Sequence, residues 1–336
     1  MSPKVAQIGL GPWGRNLLRC AQRLGALGAV LGRHEAARAE LATLCPGVPV
    51  DSTVAQLLAR PAISGVLIAT PTDSHVELAR AALAAGKDVF VEKPLCLEPE
   101  EGAALARQAQ AVGRILMVGH VLWYHPVVEE LARQLASGVI GPLRYLQARR
   151  QSLGKLRPRE DVLWCLGPHD VSLFLGLTGG LPHTVSAHAT SLLRPDYPDA
   201  VNCHFQFAGG RHADLQLSWL HPRKEQVLTL VGDHGSLVFD DTAAASDKLT
   251  LHRHTISWDD QDPSVARGAS ETLPVLATEP LLAEVQHFLD CIATRQPPRT
   301  DAWEAVRGLQ VLTAAARSWR HGGRPESLHP LAEPAP

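Results

Sequence analysis

Lysine is scarce in this chain: only six of its 32 basic residues are lysine, at positions 4, 87, 93, 155, 224 and 248, and the other 26 are arginine. Each lysine therefore raises the question of what a guanidinium with a pKa above about 12 could not do in its place. Excess charge of either sign is missing too. With 32 basic against 34 acidic residues the net charge is −2, so no overall field draws the chain to nucleic acid or to an anionic membrane, and an anionic ligand has to be held locally. Paired cysteines are absent. Cys20, Cys45, Cys96, Cys165, Cys203 and Cys291 lie apart with no C-x-x-C spacing, which suits reduced thiols in a cytoplasm better than a disulfide framework. No run reaches the roughly 18 to 20 uninterrupted apolar residues of a membrane helix. The start, Met1-Ser2-Pro3-Lys4-Val5-Ala6-Gln7-Ile8, enters a strand-like segment without the basic and long apolar regions of a signal peptide, and is read as the mature one. Metal-ligand spacing is missing as well. There is no H-E-x-x-H, and His252-Arg253-His254 has no nearby thiol or carboxylate, so no catalytic metal is expected.

What is present is a globular chain of 336 residues, 45% apolar, which is enough for about two domains. Residues 1–120 alternate strand signals (Val5–Ile8, Leu27–Leu31, Val66–Ala69, Asp88–Val91, Ile115–Val118) with apolar-periodic helices from Gly14 and from Asp73. This is a βαβ series and predicts an α/β dinucleotide-binding Rossmann domain with a doubly wound parallel sheet. Residues 121–321 carry longer β-like runs separated by turns such as Gly209-Gly210 and Gly232-Asp233, with helices near 127–135, 279–294 and 302–319. They predict an α+β substrate-binding and oligomerisation domain on a large, mostly antiparallel open sheet. Trp219, Leu220, Leu215 and Leu217 are candidates for its uncovered face, through which a homodimer or homotetramer would form. Asp259 to Ser270 reads as an exposed loop, and 322–336 as a disordered tail.

Gly9-Leu10-Gly11-Pro12-Trp13-Gly14 is a G-x-G-x-x-G between the first strand and the first helix. The first glycine permits the tight turn, the second lets backbone approach a pyrophosphate, and the third lets helix and strand pack closely. The following helix N-terminus faces the anion with unpaired N–H groups. NAD sites usually carry a carboxylate about 20 residues on, at the end of the second strand. Here that strand ends Leu31-Gly32-Arg33-His34. A small residue beside an arginine able to fork onto a 2′-phosphate favours NADP over NAD; in the NAD alternative, Glu35 or backbone groups serve the ribose.

The fourth strand runs into Glu92-Lys93-Pro94, which puts Lys93 just past the C-terminal edge of the parallel strands, where open α/β sheets bind ligands. Together the glycine turn, Ala69-Thr70-Pro71-Thr72-Asp73-Ser74-His75, Glu92-Lys93-Pro94, Val118-Gly119-His120, and Gly167-Pro168-His169-Asp170 at the start of a second-domain helix resemble the glucose-fructose oxidoreductase and inositol dehydrogenase family, also called MocA-like oxidoreductases. The resemblance implies a cofactor site on Gly9, Gly11, Pro12, Trp13, Gly14, Arg33, Thr70, Pro71, His75, Glu92 and Lys93. It also implies Lys93 and His169 as the catalytic pair. The chemistry agrees: hydride transfer from an alcohol carbon needs a base for the hydroxyl proton and a donor or cation at the growing oxyanion. Many family members carry an Asp four residues before this histidine. Here that position is Cys165, a poor substitute for a carboxylate, with Asp161 as the candidate surrogate.

Gly119-His120-Val121-Leu122-Trp123-Tyr124, Gly154-Lys155-Leu156-Arg157 and Leu163-Trp164 look most like the branch of nucleotide-sugar (UDP-N-acetylglucosamine-type) 3-dehydrogenases. That likeness implies substrate contacts from His120, Tyr124, Lys155, Arg157, Trp164 and Cys165 beside Lys93 and His169, with the two basic loop residues on a diphosphate. The expected activity is NAD(P)-dependent hydride transfer at a secondary hydroxyl or ketone of a sugar or nucleotide sugar. A free-sugar or inositol dehydrogenase and a non-catalytic dinucleotide-binding sensor remain as alternatives.

Overall fold

A computed structural model describes residues 3–154, 156–158, 160–259 and 262–333. The chain divides into two compact units. The first holds the parallel sheet. Its strands are β1 (Val5–Ile8), β2 (Leu27–Leu31), β3 (Val50–Asp51), β4 (Gly65–Ile68), β5 (Asp88–Glu92) and β6 (Leu116–Gly119), and its helices are α1 (Pro12–Arg23), α2 (Glu35–Leu44), α3 (Val54–Leu58), α4 (His75–Ala84) and α5 (Pro99–Ala111). Every residue of β1, β4, β5 and β6 is buried, as a sheet covered on both faces requires. Strand order is β3-β2-β1-β4-β5-β6, so the direction of winding reverses between β1 and β4, where such sheets bind ligands.

The first unit extends beyond the expected boundary at residue 120. It runs to Tyr124 and takes back Glu279–Leu309. The returning helix α8 (Pro280–Thr294) lays Leu281, Val285, Phe288, Leu289 and Ile292 into one cluster with Val5, Leu67, Phe90 and Met117 of the sheet. An apolar helical stripe goes wherever an apolar face is left open, and sequence separation does not mark that.

The second unit contains α6 (Pro126–Ala136), α7 (Val162–Thr178) and β7 (Leu143–Leu153), β8 (Thr184–Thr190), β9 (Ala200–Gln206), β10 (His212–Ser218), β11 (Leu220–Gly232), β12 (Gly235–Asp240), β13 (Leu249–Asp259), β14 (Asp262–Thr272) and β15 (Glu326–Ser327). They form a sheet of order β14-β13-β12-β11-β7-β10-β9-β8-β15, antiparallel except where β7 meets β10. The long helix α9 (Ala302–Arg320) is divided between the units at Leu309 and Gln310.

Four expectations are corrected here. Of the stretch read as a loop, residues 262–270 lie in β14, which pairs with β13, for example Val265 with Ile256, past a register shift between His252 and His254; every residue of β14 is exposed, so it has no apolar alternation to read, and residues 260–261 lie outside the described residues. Within the expected tail, β15 adds to β8 and Gln310 donates to the His329 carbonyl at 2.8 Å, while residues 334–336 lie outside the described residues. Leu215, Leu217 and Trp219 are buried, with Leu217 beneath Gly167 of α7, so they form the covered face. The other face of β10 presents Asp214, which joins Tyr145 Oη and His204 Nδ1, each at 2.7 Å. Finally, α7 begins at Val162, so Gly167-Pro168-His169-Asp170 lies in mid-helix, because Asp161 caps the helix by accepting from Trp164 N at 3.0 Å.

Candidate active site

The β1–α1 turn has the sterics of a dinucleotide cradle. Gly9 sits at φ +102°, and a Cβ there would fall 2.3 Å from the Ala69 carbonyl oxygen on β4's side of the switch point. A Cβ on Gly14 would fall 2.3 Å from the Gly9 oxygen, whereas one on Gly11 would meet nothing within 4 Å. The space beside Gly11 is thus open. Helix α1 starts at Pro12 with no side-chain cap and no acidic residue in its first turn, so its leading N–H groups are left for an anion. These residues fit a pyrophosphate. Gly9→Ala is expected to cost about 2 kcal/mol in urea denaturation, through forced left-handed backbone and overpacking. Gly11→Ala, at an ordinary φ of −59°, should leave the midpoint unchanged and weaken only dinucleotide binding.

Trp13 ties this turn to the end of β5, its Nε1 donating to Glu92 Oε1. The Glu92 carboxylate lies flat over Gly119, with both oxygens 3.1 Å from where a Cβ would sit, and that contact explains glycine at position 119. Burial pushes the Glu92 carboxyl up to about 7, against the opposing pull of Trp13 and Lys93. Lys93 follows half-buried, with a cis bond to Pro94. His120 is buried at the end of β6 and its Nδ1 meets Glu304 Oε2 at 2.6 Å, a partner from α9 that no sequence signal marked. The first unit therefore brings Gly9, Gly14, Trp13, Glu92, Lys93 and His120 to one edge of its sheet.

Two expected contacts have other roles. His75 is buried, with Nδ1 2.9 Å from the Pro94 oxygen and Nε2 2.9 Å from the Thr70 oxygen, so it is a strut between two loops and not a cofactor ligand. Thr70 also accepts from Ser74 Oγ at 2.7 Å, and Pro71 is exposed. Tyr124, expected on the substrate, is 3% exposed in the α8 cluster. Its hydroxyl lies 3.5 Å from Thr300 Oγ1 and the Arg299 guanidinium lies over its ring. It is a core residue.

Arg33 is exposed at the end of β2. The missing Cβ of Gly32 makes room for this chain's own Arg38 and Val50 side chains (2.7 and 2.9 Å), so its smallness has a packing cause as well. Arg38, which the sequence reading missed, donates to the Gly32 oxygen at 3.2 Å and puts a second guanidinium beside that strand end.

In the second unit Trp164, Cys165 and His169 stand on α7, Cys165 one turn before His169. Cys165 is buried and His169 half-buried. Asp170 points elsewhere, forking onto Arg150 at 2.7 and 3.0 Å. Asp161 is committed to the helix cap and is no surrogate for the missing Asp; burial raises its pKa. Arg157 is exposed, and the Arg194 guanidinium pins its loop by donating to the carbonyls of Arg157 and Pro158 at 2.8 and 2.7 Å. Lys155 lies outside the described residues. Among the described residues no cluster of metal ligands occurs, and no helix is long and apolar enough to cross a membrane.

Comparison with known proteins agrees with this geometry. Residues 4–120 match the model of an oxidoreductase family with an NAD-binding Rossmann fold, and residues 128–238 match the GFO/IDH/MocA C-terminal domain. The chain is 30% identical to UDP-N-acetylglucosamine 3-dehydrogenase of Acidithiobacillus ferrooxidans, over 93% of this chain and 95% of that protein. It is 27% identical to scyllo-inositol 2-dehydrogenase (NAD(+)) of Bacillus subtilis, over 80% and 78%. The crystal structure of an oxidoreductase from Magnetospirillum magnetotacticum superposes with a TM-score of 0.80 at 32% identity, covering 94% of this chain and 99% of that one.

Proposed function

Because this chain belongs to the GFO/IDH/MocA family of NAD-dependent oxidoreductases, we propose that it transfers hydride between a nicotinamide dinucleotide and a secondary hydroxyl or ketone, C3 of a nucleotide sugar. One observation carries the reading: Lys93 stands at the C-terminal edge of β5, in the same sheet whose β1–α1 turn is shaped for a pyrophosphate. The nicotinamide, when bound, gives or takes the hydride. Lys93 supplies a donor and positive charge at the substrate oxygen and exchanges its proton. His169 of α7 is the second group that can move a proton near neutrality. Trp164 and Cys165 stand on the same helix, and Arg157, with Lys155 in the same sequence segment, supplies charge for a diphosphate.

Arg33 and Arg38 support NADP as the preferred cofactor, with NAD as the alternative. A thermal-shift titration tests this. A ligand that binds only the native state adds about 2.7 kcal/mol at 100 Kd. NADP+ should therefore stabilise at lower concentration than NAD+, and Arg33→Ala should remove the difference. Equal titrations in the parent protein would return the site to NAD. The likeness to an inositol dehydrogenase favours a second reading, a free polyol as substrate. Arg157→Ala separates the two: a raised KM supports the diphosphate, an unchanged KM the free polyol. Dinucleotide binding without turnover across sugars, polyols and UDP-sugars would leave only a sensor. The buried thiols suit a reducing compartment such as the cytoplasm, and the polar uncovered face of the nine-stranded sheet suits a second copy of this chain, to be tested by light scattering.

A further inference from the structure

Glu284 of α8 is fully buried, and neither of its carboxyl oxygens has a hydrogen-bond partner among the described residues. Its place along the sheet follows from the contacts of its helix. Arg295, just past the end of α8, forks onto Asp88 at the start of β5 at 2.7 and 3.0 Å, and Phe288 meets Phe90 in mid-strand with ring centroids 5.9 Å apart. The helix thus runs against the strand. From Arg295 back to Glu284 is about 16 Å of helix, and from Asp88 to Glu92 is about 13 Å of strand. Glu284 therefore comes level with Glu92, which shares the helix-facing side of β5 with Phe90. On the same face, Gln7 of β1 leaves its buried Oε1 without a partner.

Two carboxyls brought together away from water cannot both ionise cheaply. Burial raises both, and the Glu92 charge raises Glu284 further, well above the usual carboxylate range. The other groups around the pair are few. Lys93 and His120 act on Glu92. Tyr124 feels Glu284 along with Arg299 and Cys291. From α1, Cys20 is engaged with Glu279 beside Arg23, and His287 of α8 lies tilted beside the Tyr124 ring. Lys93 acts on Glu92 and Arg299 on Tyr124, and among the described residues no donor meets either oxygen of Glu284.

We propose that Glu92 and Glu284 form a buried two-carboxyl unit in which Glu284 keeps its proton while Glu92 gains or loses one as the bound dinucleotide changes charge, so that cofactor binding is linked to proton release. The inference rests on the dinucleotide reading above. Binding of the oxidised cofactor, whose ring is cationic, favours ionised Glu92 and sends its proton to the buffer. The neutral reduced ring leaves that proton in place. Glu284 is a positioning residue: uncharged, it lets Glu92 carry the one negative charge of this face.

Calorimetric titration of the full chain with NADP+ and NADPH, in two buffers of different protonation enthalpy from pH 6 to 8, reads the linkage without any variant. Proton release with NADP+ near pH 7, none with NADPH, and an NADP+ Kd that tightens about fivefold from pH 6 to 8 are expected. Glu92→Gln should abolish the release. Glu284→Gln, which cannot ionise, should retain it and lose an infrared band of a protonated carboxylic acid that persists in the parent protein at pH 8. No proton release from a protein that binds both cofactors overturns the proposal and leaves the oxidoreductase reading intact. Release lost in Glu284→Gln, or a band unchanged in it, overturns the assignment of the two protons. Failure to bind either cofactor overturns both readings.

Discussion

Lys93→Met should lower turnover by about three to four orders of magnitude, with a thermal midpoint close to that of the parent protein. The magnitude combines a general acid–base contribution of about 10²–10⁴ with the loss of a charge at the developing oxyanion, and the two overlap because one group supplies both. The separation from stability rests on position. Lys93 is half-buried at the edge of β5, while the elements around it are held by other groups: His75 bridges Thr70 and Pro94, and Trp13 bridges to Glu92. Lys93→Arg discriminates further. It keeps the positive charge and cannot exchange a proton near neutrality, so it should stay within about tenfold of Lys93→Met if proton transfer dominates, and recover most of the activity if charge alone matters. Single-turnover absorbance at 340 nm reads the chemical step. A methionine variant retaining more than about a tenth of parental turnover would remove Lys93 from the catalytic role.

How much of this was readable beforehand varies with the kind of constraint. The glycine turn was legible because hard sterics dictate residue identity: Gly9 and Gly14 have a backbone oxygen where a Cβ would be. The five strands read in the first domain agree with β1, β2, β4, β5 and β6 to within a residue or so at either end, since fully apolar runs bounded by glycine and polar turns have few other readings. What failed depended on partners distant in sequence. Tyr124 follows a motif histidine by four residues and looked like a substrate donor, but α8, more than 150 residues later, closes over it. Glu304 and Glu284 come from that same returning stretch and carried no local pattern. His75 sat in a recognisable motif, yet that both ring nitrogens are spent on backbone is visible only when the Thr70 and Pro94 carbonyls are in place. Asp161 looked like a spare carboxylate because a helix cap cannot be told from one until the helix start is known.

Arg150→Met is expected to destabilise the second unit by about 3–5 kcal/mol, a large share of the roughly 5–15 kcal/mol that holds a typical domain folded. The Arg150 and Asp170 side chains are 14% and 4% exposed and meet in a two-pronged contact between β7 and α7. Removing the guanidinium leaves the buried Asp170 carboxylate without its partner. Asp241, whose field also reaches Arg150, is itself an anion and cannot compensate the freed carboxylate. Asp170→Leu should cost a similar amount for the mirror-image reason. The double variant Arg150→Met/Asp170→Leu should return to within about 1.5 kcal/mol of the parent, since a well-packed apolar pair often equals a buried ion pair. Urea midpoints of the four proteins form a double-mutant cycle that isolates the pair. Its second reading concerns chemistry. Asp170 adjoins His169 on α7, and Cys165 occupies the helical turn where the family's Asp would stand, so the ion pair is the charged anchor nearest in sequence to that histidine. If the refolded double variant turns over at the parental rate, the pair serves stability alone. If kcat falls more than tenfold with KM unchanged, the pair also sets the rotation of α7 that presents His169, and the absent Asp has been replaced by a held helix instead of by another acid.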